Sequence, residues 1–371
     1  MSMEKQQMRS SRKEKESREA QLLELLKKTE PADKEYMEKA KNRWDSLCKP
    51  LGSFGKLEEA VVRTAGIQRT LRPAIDRPAV LIMAADNGVV EEGVSQSKSE
   101  VTAQVLENMG QGISAVCILA EEIHAEVYPI NIGMLSDGKQ ERIINVPVRK
   151  GTGNIVDGPA MTREEAAEAI LTGIRMVEKM LRRGKNLIIT GEMGIGNTTT
   201  SSAMVSVFLK EAPEAVTGRG AGLSTEGLKN KCEVIQRAVE RNRPDPEDVL
   251  DVLSKVGGLD IAGMTGCFIG GALFHVPVLI DGFISSVAAY CAVRLNPNCR
   301  DYMFATHCSA EPAGKRILDA LELEPFLYAD MRMGEGTGAA AAYPVLQAGF
   351  AAYRMLPSFE GGKVEPYKHL K

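Results

Sequence analysis

Aromatic side chains are scarce in this sequence, with a single tryptophan in 371 residues. That argues against a sandwich built on aromatic anchors, and 35 glycines fit a turn-rich α/β enzyme better. Paired cysteines are missing too. Cys48, Cys117, Cys232, Cys267, Cys291, Cys299 and Cys308 are scattered with no Cys-x-x-Cys among them, as expected of reduced thiols in a cytosolic protein. No His/Cys/Asp cluster has zinc spacing, so no metal is expected. A formal charge of −3 gives no electrostatic reason to expect nucleic acid or an anionic membrane as partner. The N-terminus, MSMEKQQMRSSRKEKESRE, has no apolar centre and does not read as a signal peptide. The most apolar region, CFIGGALFHVPVLIDGFISSVAAYCAV, is interrupted by His275, Pro277 and Asp281, whereas a span needs about twenty nearly unbroken apolar residues. A soluble cytoplasmic protein is expected.

What is present is core material, at 44% hydrophobic and 26% charged residues. At about 150 residues per domain the length suggests roughly two domains, or one large domain with an accessory piece. Residues 1–72 read as helices: SREAQLLELLKK and EYMEKAKNRWDSL carry helical spacing, and KPLGSFGK is a turn before LEEAVVRTAGIQRTL. We expect this helical accessory segment to be joined by residues 350–371, around an α/β catalytic domain of residues 73–349. In that domain AVLIMAAD, EVYPINIG, NLIITGE, VPVLIDG and YMFATHC alternate with Ala-rich helical stretches. The pattern predicts a mostly parallel sheet flanked by helices. Polar residues end each run: Asp86 and Asn87, Asn131, Glu192, Asp281 and His307. Such ends line the ligand crevice of open α/β sheets. The tail GGKVEPYKHLK reads as loose.

Two glycine turns could carry chemistry. In GEMGIGNTTTSSA, residues 191–203, Gly194 and Gly196 permit tight turns, and Asn197 with Thr198, Thr199 and Thr200 opens a helix. Amides and dipole at such a start favour an anion. The alternative is a strand–helix turn that binds nothing. No lysine stands where a nucleotide-hydrolysing P-loop has one, and Gly191, Gly194 and Gly196 do not match Gly-x-Gly-x-x-Gly, which argues against a dinucleotide-dependent oxidoreductase. In MRMGEGTGAAAAYPVLQA, residues 331–348, Glu335 sits among glycines before another helix, with Arg332 three residues earlier. An exposed capping carboxylate is the bland explanation. Glu91 and Glu92 read as solvated loop charges, and Asp86 and Asn87 as better ligand contacts. In SKVGGLDIAGMTGCFIGGALF the small residues read as close packing. His124 and His369 read as surface groups, His275 as a structural group heading a strand, and His307 as near a site. Lys231 could pair with phosphate or stand as a solvated lysine.

Together KPLGSFGKLEE, AADNGVVEEGV, GTGNIVDGPAMT, GEMGIGNTTTSSAMVSVF, TGRGAGLS, VLSKVGGLDIAGMTG, PVLIDGF, HCSAEPAG and MRMGEGTGAAAAYP resemble the nicotinate-nucleotide:dimethylbenzimidazole phosphoribosyltransferase family, in order over most of the chain. The resemblance implies a Rossmann-like sheet with a small helical domain, a homodimer and no cofactor. It also implies a pentosyl transfer, from nicotinate mononucleotide to a benzimidazole-type base with inversion at C1′, which forms the α-ribazole phosphate of cobamide assembly. By the same resemblance Glu335 is the catalytic base and Glu192 a second acid. Gly194, Ile195, Gly196, Asn197, Thr198, Thr199, Lys231, Arg332 and Gly334 would hold the nucleotide, and Ser97, Val105, Met193, Asp281, Ser309 and Met333 the incoming base. The chain departs from the family at Asn87 (usually His), Lys98 (usually Pro), Val105 (often Gln) and Met193 (often Leu), and the apolar Val105 and soft Met193 predict tolerance of other bases, including phenolic ones. A heteromer with a partner subunit and a non-catalytic ligand-binding relative are the alternatives.

Overall fold

A computed structural model describes residues 17–367. The charged N-terminal stretch, His369 and the last residues of the tail lie outside the described residues. Three helices come first: α1 (Arg18–Leu26), α2 (Lys34–Ser46) and α3 (Lys56–Gln68). Alternation of strand and helix follows through β1 (Pro78–Ala85), α4 (Glu100–Gln111), α5 (Ala115–Glu122), β2 (Glu126–Gly133), β3 (Ile144–Asn145), α6 (Arg163–Arg182) and β4 (Leu187–Met193). The chain continues as α7 (Asn197–Leu209), α8 (Pro213–Val216), α9 (Thr225–Asn242), α10 (Val249–Val256), α11 (Leu259–Phe274), β5 (Val278–Ile280), α12 (Phe283–Leu295) and β6 (Met303–Ala305). It closes with α13 (Gly314–Ala320), α14 (Thr337–Met355) and α15 (Phe359–Gly362).

The described residues form a six-stranded sheet in the order β3-β2-β1-β4-β5-β6, parallel at every pairing. β1 and β4 are buried along their whole length, which is why β1 reads as an apolar run and β4 opens as one before Thr190 and Glu192. Strand order reverses beside β1, the point where open sheets of this kind leave a crevice at their carboxyl edge. The small residues of α11 do pack closely: a Cβ on Gly173 of α6 would sit 1.9 Å from the Gly263 carbonyl oxygen. His275 does not head a strand. It ends α11 in the left-handed conformation, with Nδ1 3.2 Å from the Tyr302 hydroxyl.

The N-terminal helices and the C-terminal segment meet. The Trp44 ring lies 5.1 Å from that of Tyr353, Arg43 donates to the Tyr353 carbonyl, and the Cys48 amide donates to Pro357 O. Behind Trp44, Lys49 and Glu58 form a buried ion pair at 2.8 Å. Among the described residues no helix is long and apolar enough to cross a membrane; the apolar stretch around His275 divides into the end of α11, β5 and α12.

Candidate functional site

A cleft of about 240 Å³ opens at the carboxyl edge of β4, β5 and β6. Both glycine turns open into it. Glu192, Met193, Gly194, Ile195, Gly196, Asn197 and Thr198 form one wall, and Arg332, Met333, Gly334 and Glu335 the other. Phe283 and Ile284 supply apolar surface, and Asp281, His307, Ser309 and Glu311 line the remaining side.

The loop carrying Glu335 is held in an unusual shape. Gly334, Glu335 and Gly336 all have positive φ, at 79°, 61° and 83°. The left-handed region costs a non-glycine residue roughly 1–2 kcal/mol, so the Glu335 backbone must be clamped from outside. The clamp is Asp281, whose carboxylate accepts from Gly336 N at 3.0 Å and Ala339 N at 2.9 Å. Thr337 closes the turn by donating from its hydroxyl to Gly334 O at 2.7 Å. Glu335 Oε2 is buried with no hydrogen-bond partner. Burial, with the Asp281 charge nearby, pushes its carboxyl up to about 7. A group in that range is poised to exchange a proton near neutral pH.

Glu192, next to last in β4, faces the same space: the Glu335 amide approaches its Oε1 at 3.5 Å. Its Oε2 accepts a hydrogen bond from Asn197 Nδ2. Burial comes first among the causes that raise its carboxyl to about 8; Asp260, Asp281 and Glu335 add like-charge repulsion, against the Asn197 hydrogen bond.

The glycine turn ends where α7 begins. Its amides at Asn197, Thr199 and Thr200 fold back onto the Gly194 and Gly196 carbonyls. Behind it Lys231, fully buried within α9 and not solvated, donates from Nζ to Thr198 Oγ1 at 2.8 Å. Burial lowers its ammonium to about 8, opposed by the charge of Glu311. A buried ammonium whose hydrogen bond goes to a neutral hydroxyl, set against a helix start, suits a bound anion.

Other residues singled out from the sequence sit elsewhere. Thr199 is fully buried and does not line the cleft, because helical rotation turns it inward while Thr198 stays at the mouth. Val105 packs against the core from α4, and Ser97 lies in the loop before α4; neither lines the cleft. Asp281 lines it, yet both its oxygens are engaged by backbone amides. Of the five polar strand ends, those of β1 and β2 turn inward. Asp86 Oδ2 accepts from Leu135 N, Asn87 Nδ2 reaches Ile195 O at 3.4 Å, and Asn131 Oδ1 accepts from Met134 N. Glu92 is not simply solvated, since it accepts from Asn154 Nδ2 at 2.8 Å.

Sequence reasoning passed over Asp260, Glu311, Phe283 and Ile284. Asp260 had a signal: it is a lone acid in a helix whose other residues from 259 to 272 are apolar or small, apart from Thr265. The small residues around it drew the whole fragment into a packing role.

A family model described as phosphoribosyltransferase matches residues 29–364. The nicotinate-nucleotide–dimethylbenzimidazole phosphoribosyltransferase of Acetivibrio thermocellus is 48% identical over 347 residues, covering 94% of this chain and 99% of its own. The same-named protein of Ruminiclostridium cellulolyticum is 48% identical over 337 residues, with coverages of 91% and 96%. The crystal structure of the nicotinate-nucleotide–dimethylbenzimidazole phosphoribosyltransferase from Thermus thermophilus superposes with a TM-score of 0.84 at 37% identity, over 90% of this chain and 99% of that one.

Proposed function

This chain belongs to the phosphoribosyltransferase family, and from that premise we propose that it moves the phosphoribosyl group of nicotinate mononucleotide onto a nitrogen of 5,6-dimethylbenzimidazole, releasing nicotinate. The observation that carries this reading is the convergence of Glu192 and Glu335 in one cleft with a lysine-backed glycine turn. In this reading the 5′-phosphate lies against Gly194–Thr198, backed by Lys231 and reached by Arg332 from the facing wall. The ribose then points its C1′ toward the two acids. Met193, Met333, Phe283 and Ile284 offer apolar surface to the incoming ring, with Ser309 at its edge.

Each step needs little machinery. The bond from C1′ to the pyridinium nitrogen breaks with its electron pair going to that nitrogen, so the ring departs neutral and needs no general acid. C1′ gains cationic character, which the Glu192 carboxylate stabilises. The acceptor's ring nitrogen forms the new bond on the opposite face, inverting C1′, and becomes positive. Its partner N–H turns acidic, and Glu335 takes that proton. Help of this kind is worth roughly 10²–10⁴-fold.

We further read residues 1–72 with 350–371 as a helical accessory piece, and the working form as a cytoplasmic homodimer. Sedimentation should then give twice the 40.2 kDa chain mass. A broader acceptor range, including phenols, is supported by Met193 at the apolar wall; Val105 adds nothing to it, being off the cleft. Nicotinate release that depends on added dimethylbenzimidazole tests the main reading. Exclusive use of that base against phenolic competitors rules out the broader one.

A further inference from the structure

Asp260 is buried at 0% exposure on the first turn of α11 and does not line the cleft. Its Oδ2 accepts from Asn197 Nδ2 at 2.9 Å, and the same nitrogen donates to Glu192 Oε2. One amide NH₂ therefore serves two carboxylates with its two hydrogens, which leaves it no freedom to rotate. Glu192 is held by that amide from the side away from Glu335, whose backbone approaches its other oxygen. Asp260 Oδ1 is buried with no hydrogen-bond partner.

The start of α11 favours an acid there, through its dipole and the nearby amides of Asp260 and Ile261, but that does not account for the bond to Asn197 on α7. The cap residue of α11 is Gly258, with no side-chain cap bond, and the Asp260 carboxylate is directed across to α7. A buried carboxylate with one bare oxygen is costly, and packing alone gives no return for it.

We propose that Asp260 is a positioning residue for the transfer: through the shared Asn197 amide it fixes the direction of the Glu192 carboxylate, and it places a second negative charge behind it. This rests on the reading in which Glu192 faces C1′. The consequence is electrostatic as well as geometric. Four groups face Glu192: Asp260 from α11, Asp281 from the end of β5, Glu335 from the loop before α14, and the neutral Asn197 amide from α7. Asp260 itself is faced by Asp86 from the end of β1. Repulsion from Asp260 keeps Glu192 protonated to higher pH, and the Asn197 hydrogen bond works in the other direction. The pyridinium end of the nucleotide then enters a site that releases a proton to receive it.

The test is the pH profile of kcat/KM for nicotinate mononucleotide in wild type, Asp260→Asn and Asn197→Ala. Asp260→Asn keeps an acceptor for Asn197 and removes the charge, so the ascending limb should move down by about 0.5–1 on the pH axis. The ratio of kcat/KM at low to high pH then rises roughly three- to tenfold. Asn197→Ala removes the bond that favours ionised Glu192, so its limb should move up. Opposite shifts support the assignment, and the position of a limb does not depend on how much of a variant folds. Profiles that superimpose on wild type after scaling would mean Asp260 is only structural. A wild type that releases no nicotinate overturns the functional reading itself.

Discussion

Asp281, at the end of β5, holds the backbone of Gly336: the amide donates to its carboxylate at 3.0 Å, and Ala339 N donates to the other oxygen at 2.9 Å. The pair ties the start of α14 to the sheet and so aims Glu335, which precedes Gly336. Asp281→Ala should leave two buried amides unpaired, at a cost of about 1–3 kcal/mol each. We expect a lower denaturation midpoint together with a large loss of kcat. Asp281→Asn, which offers one good acceptor instead of two, should fall between. Full activity in Asp281→Ala would show that the loop holds its shape unaided.

Glu335→Gln keeps the volume and removes the proton acceptor. Base-dependent nicotinate release should fall on the order of 10²–10⁴-fold while KM for the nucleotide changes little. The KM should hold because the phosphate turn lies on the other wall of the cleft. Undiminished release in this variant would move the role of base elsewhere.

The acids also make the stability of the empty protein depend on pH in an unusual direction. Glu192 and Glu335 bind protons more tightly when folded, at about 8 and about 7, than the ordinary carboxyl value of 4.5. Between those values the folded chain holds protons that the unfolded chain has released. Their contribution is therefore fully present below about pH 4.5 and is lost as pH rises toward 8. At roughly 1.4 kcal/mol for each tenfold gain in proton affinity, the effect is on the order of a few kcal/mol for each acid. Urea unfolding at pH 5.5 and 8.5 should show stability falling with pH, and Glu192→Gln should flatten that slope. Equal slopes in wild type and variant would contradict it.

Much of this was legible in the chain. Buried parallel strands read clearly because β1 and the first half of β4 are apolar, and the two acid-bearing glycine turns marked the cleft because packing explains such acids poorly. The rest depended on direction, which spacing alone does not give. Asn131 and Asp86 looked like ligand contacts at strand ends, yet Asn131 Oδ1 and Asp86 Oδ2 each accept from a nearby amide. The rotation of α7 separates Thr198 from Thr199, and only the fold shows that Lys231, distant in sequence, backs the turn. The two-residue β3 had no apolar run to announce it.

Lys231 offers a way to separate phosphate recognition from chemistry. Its Nζ is buried and bonded to Thr198 Oγ1, which places it directly behind the turn, and it would lie 3.4 Å from a Cβ on Gly220 of a second loop. Lys231→Met removes the charge at similar volume. If the phosphate takes that charge, the variant should lose roughly 10- to 100-fold in kcat/KM toward the mononucleotide, as expected for a charge-assisted hydrogen bond worth about 1.5–3 kcal/mol. Toward nicotinate riboside, which has no phosphate, wild type and variant should be nearly equal. Methionine also avoids burying an ammonium, so the variant should be no less stable toward urea. Steady-state kinetics with both substrates read this out directly. An equal loss on mononucleotide and riboside would mean that Lys231 supports the turn structurally and does not recognise the phosphate.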